Sequence, residues 1–492
     1  MDDTVSLDLS LPDNILQPFL VFSGSSTLKQ ALECLIEIAK TTDGRWDLAS
    51  KRLVVPVLQL CQFLSCPSHR NLLLSTLKLL RNLCAGEIKN QNLFIEQNGV
   101  GVLSRIVSSV GLASSSDNGI LRMLLQVLGN VSLAGEEHQL VVWRQFFSSG
   151  FLEIARVRSK ETCDPLCMII YTCSGGSDGL HGDLCSDSGL EIVIEILRTA
   201  TLAGFTEDWP KLLLSRIFLE ESCFSSTFSR LFPVFATEKC DGTVSAVNNF
   251  GPEQAFLLSI LSKTLNEGVG DVVSNDFALF VFEILKTAVG IVDFTTRGTS
   301  NLPTGSSDID VMGYSMAILR DICACDGPKD FNQNEKESAK EILVSSGLIE
   351  LLITLLRSLE PPAIIRKAMN QSEAKDGITS QSFKYCVYKG LRRDIVGIIG
   401  NCCYHRKLVQ DKVRELDGIV LLLQQCVIDE ENPFLREWGM WSVHNLLEGN
   451  EENLKLVASL ELQGTVDVPE LAQMGLRVDV DPKTHRAKLV NV

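Results

Sequence analysis

The sequence predicts an all-α fold, a helical-repeat solenoid that ends in a short C-terminal β-hairpin. Apolar residues recur at intervals of three and four along most of the chain, which is the helical period. A pattern of helix, glycine and second helix also returns several times, and a returning pattern indicates repeats. Apolar and polar residues alternate only near the C-terminus, as they do in a strand. Of the 492 residues, 45% are apolar and 22% are charged, fractions that are typical of a folded protein.

Five segments share the helix–glycine–helix pattern. A glycine after a helix can adopt the left-handed conformation without strain from a Cβ atom, so each one is predicted to turn the chain sharply into the next helix. The five glycines are Gly99, Gly150, Gly189, Gly347 and Gly418.

A longer helix with a polar residue near its end recurs along the chain, upstream of four of these glycines and once more near the C-terminus. These polar residues are Asn82, Asn130, Asp321, Asn401 and Asn445. Asn82 and Asn130 are 48 residues apart, and Asn401 and Asn445 are 44 residues apart. Three helices in about 40–47 residues is the period of armadillo and HEAT repeats. The solenoid is therefore predicted to be armadillo/HEAT-like.

The layout of the chain follows from where this pattern is clear and where it falters. The predicted segments are a flexible N-terminal tail (1–12), armadillo-like repeats (13–222), an irregular centre with helices and loops (223–310), armadillo-like helices (311–360), a linker or insertion (361–382) and a C-terminal domain (383–492). Few helix signals occur in 223–250. The stretches 293–308 and 361–382 are predicted to be exposed loops or disordered insertions. The hairpin is expected on either side of Asp481-Pro482-Lys483-Thr484.

Charge and cysteine content exclude several classes of protein. With 45 basic against 61 acidic residues the net charge is −16, which argues against sequence-independent nucleic-acid binding and against anionic membrane surfaces. The most apolar run, from Phe277, carries Glu283 and Lys286 within too short a span to cross a bilayer, so we expect no membrane span. The N-terminus is acidic where a targeting signal is basic, and the 16 cysteines include no Cys-x-x-Cys pair. We therefore expect a cytosolic protein, with the nucleus as the alternative.

Two constellations resemble chemical sites but lack the context that such sites need. Gly175–Gly179 matches the Gly-x-Ser-x-Gly elbow with Ser177 as nucleophile, although the elbow requires a preceding strand and Ser177 follows a predicted helix. A simple glycine-rich turn is the stronger interpretation, and a serine hydrolase is kept as the alternative. The densest group of soft ligands has no common zinc spacing, so buried free thiols are favoured over a structural metal. Its members are Cys163, Cys167, Cys173, His181 and Cys185. No catalytic residue, metal ligand or cofactor is predicted, and we expect a protein that is not an enzyme.

The helix NPFLREWGMWSVHNLLE has two distinct faces. One face is predicted to lie in the core and carries Leu435, Trp438, Ser442, Val443 and Leu446. The other face carries Phe434, Glu437, Trp441, His444, Asn445 and Glu448. Trp441 lies one turn before Asn445, and such a pair in the groove of an armadillo solenoid can hold an extended peptide. Equally, Trp441 could pack against a neighbouring repeat.

A protein-binding groove is therefore predicted from a small set of residues. They are Arg393, Asn401, Trp441 and Asn445, with Asn82 and Asn130 at the other end. Cations predicted on the same stripe should make the groove less acidic than the outer surface: Lys78, Arg81, Arg122, Arg320 and Arg393. The Trp441–Asn445 pair also suggests a nuclear-transport-type peptide receptor as an alternative function.

The C-terminal segment, about 383–492, resembles the ataxin-10 family, and a plant-type member of it. The motifs that carry the resemblance are Ile399-Gly400-Asn401, Cys403-Tyr404, Gln410 through Val413, Glu415-Leu416-Asp417-Gly418-Ile419, Asn432-Pro433-Phe434-Leu435, Glu437-Trp438 and Asn445-Leu446. Cys402 and Ser442-Val443-His444 depart from the family pattern. Before this segment, only the armadillo-like pattern supports the resemblance.

The resemblance implies an armadillo-fold scaffold or adaptor that is not an enzyme and that acts through protein partners. It also implies a role in cell survival, growth or cytokinesis, and self-association into a homo-oligomer. It brings no catalytic residues. The identity of the protein partners does not follow from it.

Overall fold

The computed structural model describes residues 25–109, 118–175, 178–203, 208–231, 249–267, 273–325, 338–367, 383–460, 476–480 and 487–491. The predicted tail at 1–12 lies outside these ranges. The chain divides into two compact units, Met1–Leu231 and Phe232–Val492, and each is described separately below.

The described part of the first unit is helical from end to end, apart from short turns. Its α-helices are α1 (Ser25–Ile38), α2 (Thr42–Ser50), α3 (Val54–Phe63), α4 (Arg70–Leu83), α5 (Ile88–Glu96), α6 (Gly99–Ser109), α7 (Asn118–Ser132), α8 (Glu136–Phe146), α9 (Ser149–Ala155), α10 (Lys160–Ser174), α11 (Asp178–Leu184), α12 (Asp187–Ala203), α13 (Asp208–Phe218) and α14 (Glu221–Arg230). The long helices α1, α4, α7, α10 and α13 pack on one another in succession. Two shorter helices lie between α4 and α7 and again between α7 and α10, as in three-helix repeats.

The second unit contains α15 (Pro252–Glu267), α16 (Asn275–Ile291), α17 (Ser307–Ala324), α18 (Ala339–Ser345), α19 (Leu348–Ser358), α20 (Leu391–Cys403), α21 (Lys407–Glu415), α22 (Gly418–Leu423), α23 (Leu435–Leu447) and α24 (Glu451–Ala458). Here α15, α17, α20 and α23 form the stacked row. Their mutual faces are apolar and fully buried, for example Leu319 in α17 and Ile398 in α20. The all-α, armadillo-like fold class predicted from the sequence is confirmed within each unit.

Two strands lie near the C-terminus, where the sequence analysis expects a hairpin. Strands β1 (Leu476–Val480) and β2 (Ala487–Asn491) pair antiparallel, with Val478 opposite Leu489.

Local capping chemistry explains where several helices begin. Ser338 and Glu341 form a reciprocal capping box at the start of α18. The Ser274 hydroxyl accepts a hydrogen bond from the Phe277 backbone N–H at 3.1 Å and so starts α16. These short-range bonds occupy N–H groups that a helix leaves without partners in its first turn.

The recurring glycines have a different role from the one predicted. Only Gly347 has a left-handed backbone, with φ of +96°, while the sharp turn before Gly418 is made by Asp417, with φ of +52°. Gly418 begins α22, and a Cβ atom there would lie 2.8 Å from Cγ1 of Val413. The prediction of left-handed caps is therefore wrong at four of the five glycines: Gly99, Gly150, Gly189 and Gly418. At Gly418 glycine is required because two helices approach closely.

Two of the segments predicted to be irregular are structured where they are described. Residues 223–230 belong to α14, which corrects the expectation of few helical residues there. The stretch 293–308 runs over the surface, but Gly298 N–H donates to the Cys386 carbonyl at 2.8 Å. The loop is thus tied to the chain before α20, which favours an exposed loop over a disordered insertion. Residues 232–248 and 368–382 lie outside the described ranges.

Among the helices of the described ranges, none combines the length and the apolar character that a membrane crossing requires.

Candidate functional site

The predicted binding asparagines of the first unit connect neighbouring helices. The Asn82 amide donates to the Ile36 carbonyl of α1 at 3.3 Å, and the Asn130 amide donates to the Arg81 carbonyl of α4 at 2.9 Å. Helices α4 and α7 are thereby each bonded to the long helix before them through the same side-chain nitrogen. The sequence pattern identified a repeated position correctly, but its amide N–H groups serve the repeat stack.

The same bond recurs in the second unit. The Asn401 amide donates to the Arg320 carbonyl at 3.2 Å, and the Asn445 amide donates to the Gly400 carbonyl at 3.0 Å. Asn445 has no exposed surface at all. Its predicted place on a partner-binding face is therefore wrong, because no partner can reach a fully buried amide.

A glutamine nine residues after the asparagine completes this arrangement, and the sequence analysis missed it. Nε2 of Gln91 donates to the Cys84 carbonyl, at the end of α4, at 2.9 Å. It also donates to the Asn130 carbonyl of α7, the next long helix, at 2.8 Å. Gln410 makes the equivalent bonds to Cys403 and Asn445, at 3.3 and 2.8 Å. We call this arrangement the Asn–Gln clamp. Its sequence signal is the nine-residue spacing, which Gln139 also keeps from Asn130.

An open groove of about 470 Å³ lies in the second unit along α17, α20 and α23. Its lining residues combine charged, amide and aromatic side chains: Asn266, Arg320, Asp321, Ala324, Arg393, Asn401, Phe434 and Trp438. Two of the predicted binding residues, Arg393 and Asn401, are brought together here. Phe434, at the start of α23, is 69% exposed and is the most accessible aromatic ring of the groove.

Gly397 in α20 opens this groove. A Cβ atom at Gly397 would lie 3.3 Å from the Trp438 ring and 3.4 Å from Cδ of Arg320, so the absent side chain leaves room for both. Trp438, predicted to lie in the core, is half-buried and lines the groove instead. The sequence analysis missed Trp438 because its exposure depends on a neighbouring helix rather than on its own.

The charges of the groove are balanced. Asp394 is almost fully buried, and its Oδ1 accepts from Nη1 of Arg320 at 2.9 Å and from Nη2 of Arg393 at 2.8 Å. Its Oδ2 accepts from the Tyr388 hydroxyl at 3.0 Å. Burial opposes the charged form of Arg320, but the attraction of Asp394 and Asp321 outweighs it and raises the pKa of Arg320. The two guanidinium groups are held in place, and each keeps about a quarter of its side chain exposed, 24% and 27%.

Asp321 is the less well-satisfied carboxylate of the groove. Its Oδ1 accepts from Nη2 of Arg320 at 3.2 Å, while its Oδ2 is buried and has no hydrogen-bond partner among the described residues. Burial raises the pKa of Asp321, and the attraction of Arg320 only partly opposes that effect.

Trp441 lies on the exposed side of α23, as predicted, but it does not line the groove. Its ring is 48% exposed and lies 5.9 Å from the ring of His444. Because Asn445 is buried, the two residues do not form the exposed Trp–Asn pair of a peptide receptor. The observation that suggested a nuclear-transport-type function is thereby removed.

The predicted cations of the first unit have separate environments. Lys78 and Arg122 are exposed, whereas Arg81 is half-buried. Nη1 of Arg81 donates to Oε1 of Gln126 at 3.0 Å, and Nη2 donates to Oδ1 of Asn82 at 2.8 Å. Arg81 therefore reinforces the stack between α4 and α7.

Among the described residues, neither of the two chemical constellations forms a site. Ser177 lies outside the described residues, and the chain before it forms helix α10 where a nucleophile elbow requires a strand. Cys163, Cys167 and Cys173 are buried in α10. Within the described ranges, no three His, Cys, Asp or Glu side chains are placed to hold a metal ion.

Stacked three-helix repeats joined by buried asparagines define the class of the molecule, an armadillo-type helical-repeat protein. A family model described as the spinocerebellar ataxia type 10 protein domain matches residues 391–489. The resemblance of the C-terminal segment to the ataxin-10 family is thereby confirmed, and proteins of that name are similar over most of the chain.

Relatives extend over most of the chain. Ataxin-10 of Bos taurus is 27% identical over 477 residues, which cover 92% of this chain and 92% of that protein. Ataxin-10 of Homo sapiens is 26% identical over 417 residues, which cover 84% of this chain and 81% of that protein. The ataxin-10 homolog of Dictyostelium discoideum is 37% identical over 106 residues, or 21% of this chain and 17% of that protein.

Among solved structures, two matches have low TM-scores, and one of them is a designed armadillo repeat protein. A designed armadillo repeat protein in complex with the peptide (KR)4 is 15% identical and has a TM-score of 0.34, with 52% of this chain and 98% of that chain covered. A structure from work on the interaction between cadherin and β-catenin is 13% identical and has a TM-score of 0.33, with 88% of this chain and 75% of that chain covered.

Proposed function

We propose that this protein is a scaffold that is not an enzyme, and that it binds protein partners through the groove of its second unit. The observation that supports this most directly is the open groove of about 470 Å³, with Phe434 at its surface and Arg320 and Arg393 fixed beside it. Exposed aromatic rings next to ordered guanidinium groups are the chemistry that dominates protein interfaces. The partner segment that fits is an extended peptide with an apolar side chain for Phe434 and acceptor groups for the two arginines.

Similarity to the ataxin-10 proteins supports the same class of function, and the finer proposals rest on it. We place the scaffold in the cytosol and connect it with cell survival, growth or cytokinesis. Imaging of a fluorescent fusion tests the location. Growth and division rates after deletion of the gene test the role.

A photocrosslinking experiment tests the groove itself. A benzophenone amino acid replaces Phe434 in one sample and Met440 in a second, because Met440 is 59% exposed on the same helix but does not line the groove. We expect crosslinks from position 434 to defined segments of another polypeptide, and far fewer from position 440. A crosslink to a second copy of the chain would identify self-association through this groove.

The matched variants Phe434→Ala and Met440→Ala complete the test. Phe434→Ala should abolish capture of the crosslinked partner in a binding assay with the purified segment, while Met440→Ala should leave it unchanged. Equal crosslinking at both positions, or equal binding by both variants, would refute the groove as the binding site.

A further inference from the structure

Two neighbouring long helices of the first unit carry basic residues but no acidic one. Helix α4 contains Arg70, Lys78 and Arg81, and α7 contains Arg122, while neither helix contains an aspartate or a glutamate. The chain as a whole has a net charge of −16. The stacked row of the first unit therefore has a positive section at α4 and α7 within an acidic protein.

Contacts between the two helices fix how they are aligned. A Cβ atom on Gly119 would lie 4.0 Å from Cδ1 of Leu74, and Nη1 of Arg81 donates to Oε1 of Gln126 at 3.0 Å. The two residues of each pair are 45 positions apart in the sequence. Helices α4 and α7 therefore run parallel and in register over at least two turns.

This register places two exposed cations at the same level. Lys78 lies between the two contacts on α4, and the same offset of 45 positions brings it level with Met123, the residue after Arg122. Lys78 and Arg122 are both exposed. Packed helices lie about 8–10 Å apart, so one extended ligand that crosses α4 and α7 can contact both side chains.

No acidic residue in the described ranges forms an ion pair with Lys78 or Arg122. The acids of the preceding long helix, α1, have basic partners close to them in sequence. Glu33 lies 3.9 Å from Nζ of Lys29, and Glu37 lies 2.6 Å from Nζ of Lys40. The positive charge on α4 and α7 is therefore not compensated within the described part of the unit.

The same face has more hydrogen-bond donors than acceptors. The guanidinium of Arg81 bonds only neutral amide oxygens nearby, Oε1 of Gln126 at 3.0 Å and Oδ1 of Asn82 at 2.8 Å. The bond to Oε1 also orients the half-buried Gln126 amide, whose NH₂ group donates to no described residue. Ammonium, guanidinium and amide N–H groups all require acceptors. A ligand that fits this face therefore supplies carboxylate and carbonyl oxygens.

The cations of the second unit have a different environment. Arg320 and Arg393 both bond the buried carboxylate of Asp394, at 2.9 and 2.8 Å. A ligand in that groove meets charges that are already balanced. On α4 and α7 the charge is unbalanced, so electrostatic attraction favours an anionic ligand there.

The row continues with another cation that has no acidic partner in the described ranges. Cζ of Arg216 in α13 lies 3.7 Å from the centre of the Tyr171 ring of α10, and its Nη2 donates to Oγ of Ser174 at 2.8 Å. Three steps of about 8–10 Å lead from α4 to α13 along the row. About eight residues of an extended peptide cover that distance.

We propose that the stacked row from α4 to α13 binds an extended acidic segment of a partner protein, at a site separate from the groove of the second unit. Carboxylates of the segment pair with Lys78 and Arg122, and its backbone carbonyls accept from Gln126. A short peptide contacts only this local face, whereas a nucleic acid or an anionic membrane extends over surrounding surface of an acidic protein. A protein segment is therefore favoured over either of them.

Fluorescence anisotropy with the full-length protein and a labelled octaglutamate peptide tests the proposal. We expect saturable binding that weakens as the NaCl concentration rises, and no binding of octaglutamine. The double variant Lys78→Glu, Arg122→Glu should bind octaglutamate about tenfold more weakly. Arg105→Glu is the matched control, because Arg105 is exposed on the short helix α6, and it should leave Kd unchanged. Phe434→Ala should also leave Kd unchanged, which separates this site from the groove of the second unit.

Two results would overturn the proposal. One is a double variant that binds octaglutamate as tightly as wild type or no more weakly than Arg105→Glu. The other is binding of an oligothymidylate, or of vesicles that contain phosphatidylserine, as tight as that of octaglutamate, since this would identify a general surface for polyanions. Circular dichroism checks the fold of each variant. If charge reversal disturbs the fold, Lys78→Gln with Arg122→Gln replaces it and should weaken binding about threefold.

Discussion

Replacing Gln410 with alanine tests whether the Asn–Gln clamp stabilises the repeat stack. Gln410 is 1% exposed, and its Nε2 donates to the carbonyls of Cys403, Asn445 and Glu448 at 3.3, 2.8 and 3.1 Å. Its Oε1 accepts from Nδ2 of Asn450 at 3.2 Å. The substitution therefore removes the donor that the ends of α20 and α23 share.

The expected cost follows from these contacts. Cys403 and Asn445 are buried, so water cannot readily replace the lost donor at their carbonyls, whereas Glu448 is exposed and its carbonyl can bind water. The Asn445 carbonyl is left without a donor, which costs about 1–2 kcal/mol, whereas the Cys403 carbonyl keeps the Arg406 backbone N–H at 3.2 Å. The lost side-chain carbons add about 1 kcal/mol. We expect Gln410→Ala to lower the free energy of unfolding of the second unit by about 2–3 kcal/mol.

Urea unfolding followed by circular dichroism measures this cost, and hydrogen exchange locates it. Amides at the ends of α20 and α23 should lose protection first. The matched control is Gln139→Ala, because Gln139 occupies the same repeat position and its side-chain nitrogen donates to Ser132 alone, at 3.1 Å. It should cost about 1 kcal/mol. A cost for Gln410→Ala no larger than that of Gln139→Ala would refute the clamp.

Two further substitutions test the packing and the charge of the second unit. Gly418→Ala should destabilise it by about 1–3 kcal/mol, because the new Cβ meets Val413 at 2.8 Å. The control is Gly290→Ala in α16, where the new Cβ faces open space and should leave stability unchanged or raise it. Thermal unfolding measures both variants, and equal effects on Tm would contradict the packing argument. Burial raises the pKa of Asp321 in the folded protein above that of an ordinary aspartate. Ionisation of Asp321 therefore lowers the free energy of unfolding as the pH rises from the ordinary aspartate pKa through the raised pKa. The free energy of unfolding of Asp321→Asn, measured by urea titration, should therefore increase relative to wild type as the pH rises through this interval. A difference between the two proteins that does not change with pH would contradict this prediction.

Much of the fold follows from the sequence because it depends on local patterns. Apolar periodicity and the 44–48-residue spacing of the asparagines predict the stacked helices. The glycines were found by the same pattern, yet the function assigned to them at Gly418 is wrong. The left-handed turn there is made by Asp417, and the glycine is required by the side chain of Val413 from the previous helix. Such contacts depend on how the helices pack, so they cannot be predicted from the local sequence pattern.

The groove could be predicted only in part for the same reason. Asn401 was identified from its recurring place near the end of a long helix, and Arg393 as a cation on the same predicted stripe. Trp438 was not assigned to the groove, because its accessibility depends on the missing side chain of Gly397 on another helix. Phe434 was placed on the non-core face of its helix but was not named among the groove residues. Asn445 was wrongly assigned to the groove. Its position in the sequence fits equally an amide that binds a partner and an amide that bonds the preceding long helix, and the structure shows the second.

The Asn–Gln clamp indicates where each repeat can vary without loss of the stack. Four asparagine amides donate to backbone carbonyls of the preceding long helix: Asn82, Asn130, Asn401 and Asn445. Substitution of any of these asparagines is therefore expected to lower the free energy of unfolding. Within the described ranges, the side chain one turn earlier on each helix makes no hydrogen bond to a backbone carbonyl of the helix before it, and this position holds four different residues: Lys78, Gln126, Gly397 and Trp441. Lys78 and Trp441 are exposed, Gln126 accepts from Arg81, and Gly397 leaves the space that the groove occupies. Because the clamp fixes the helices, differences at this one position change the surface rather than the fold, and recognition by each unit is expected to depend on it.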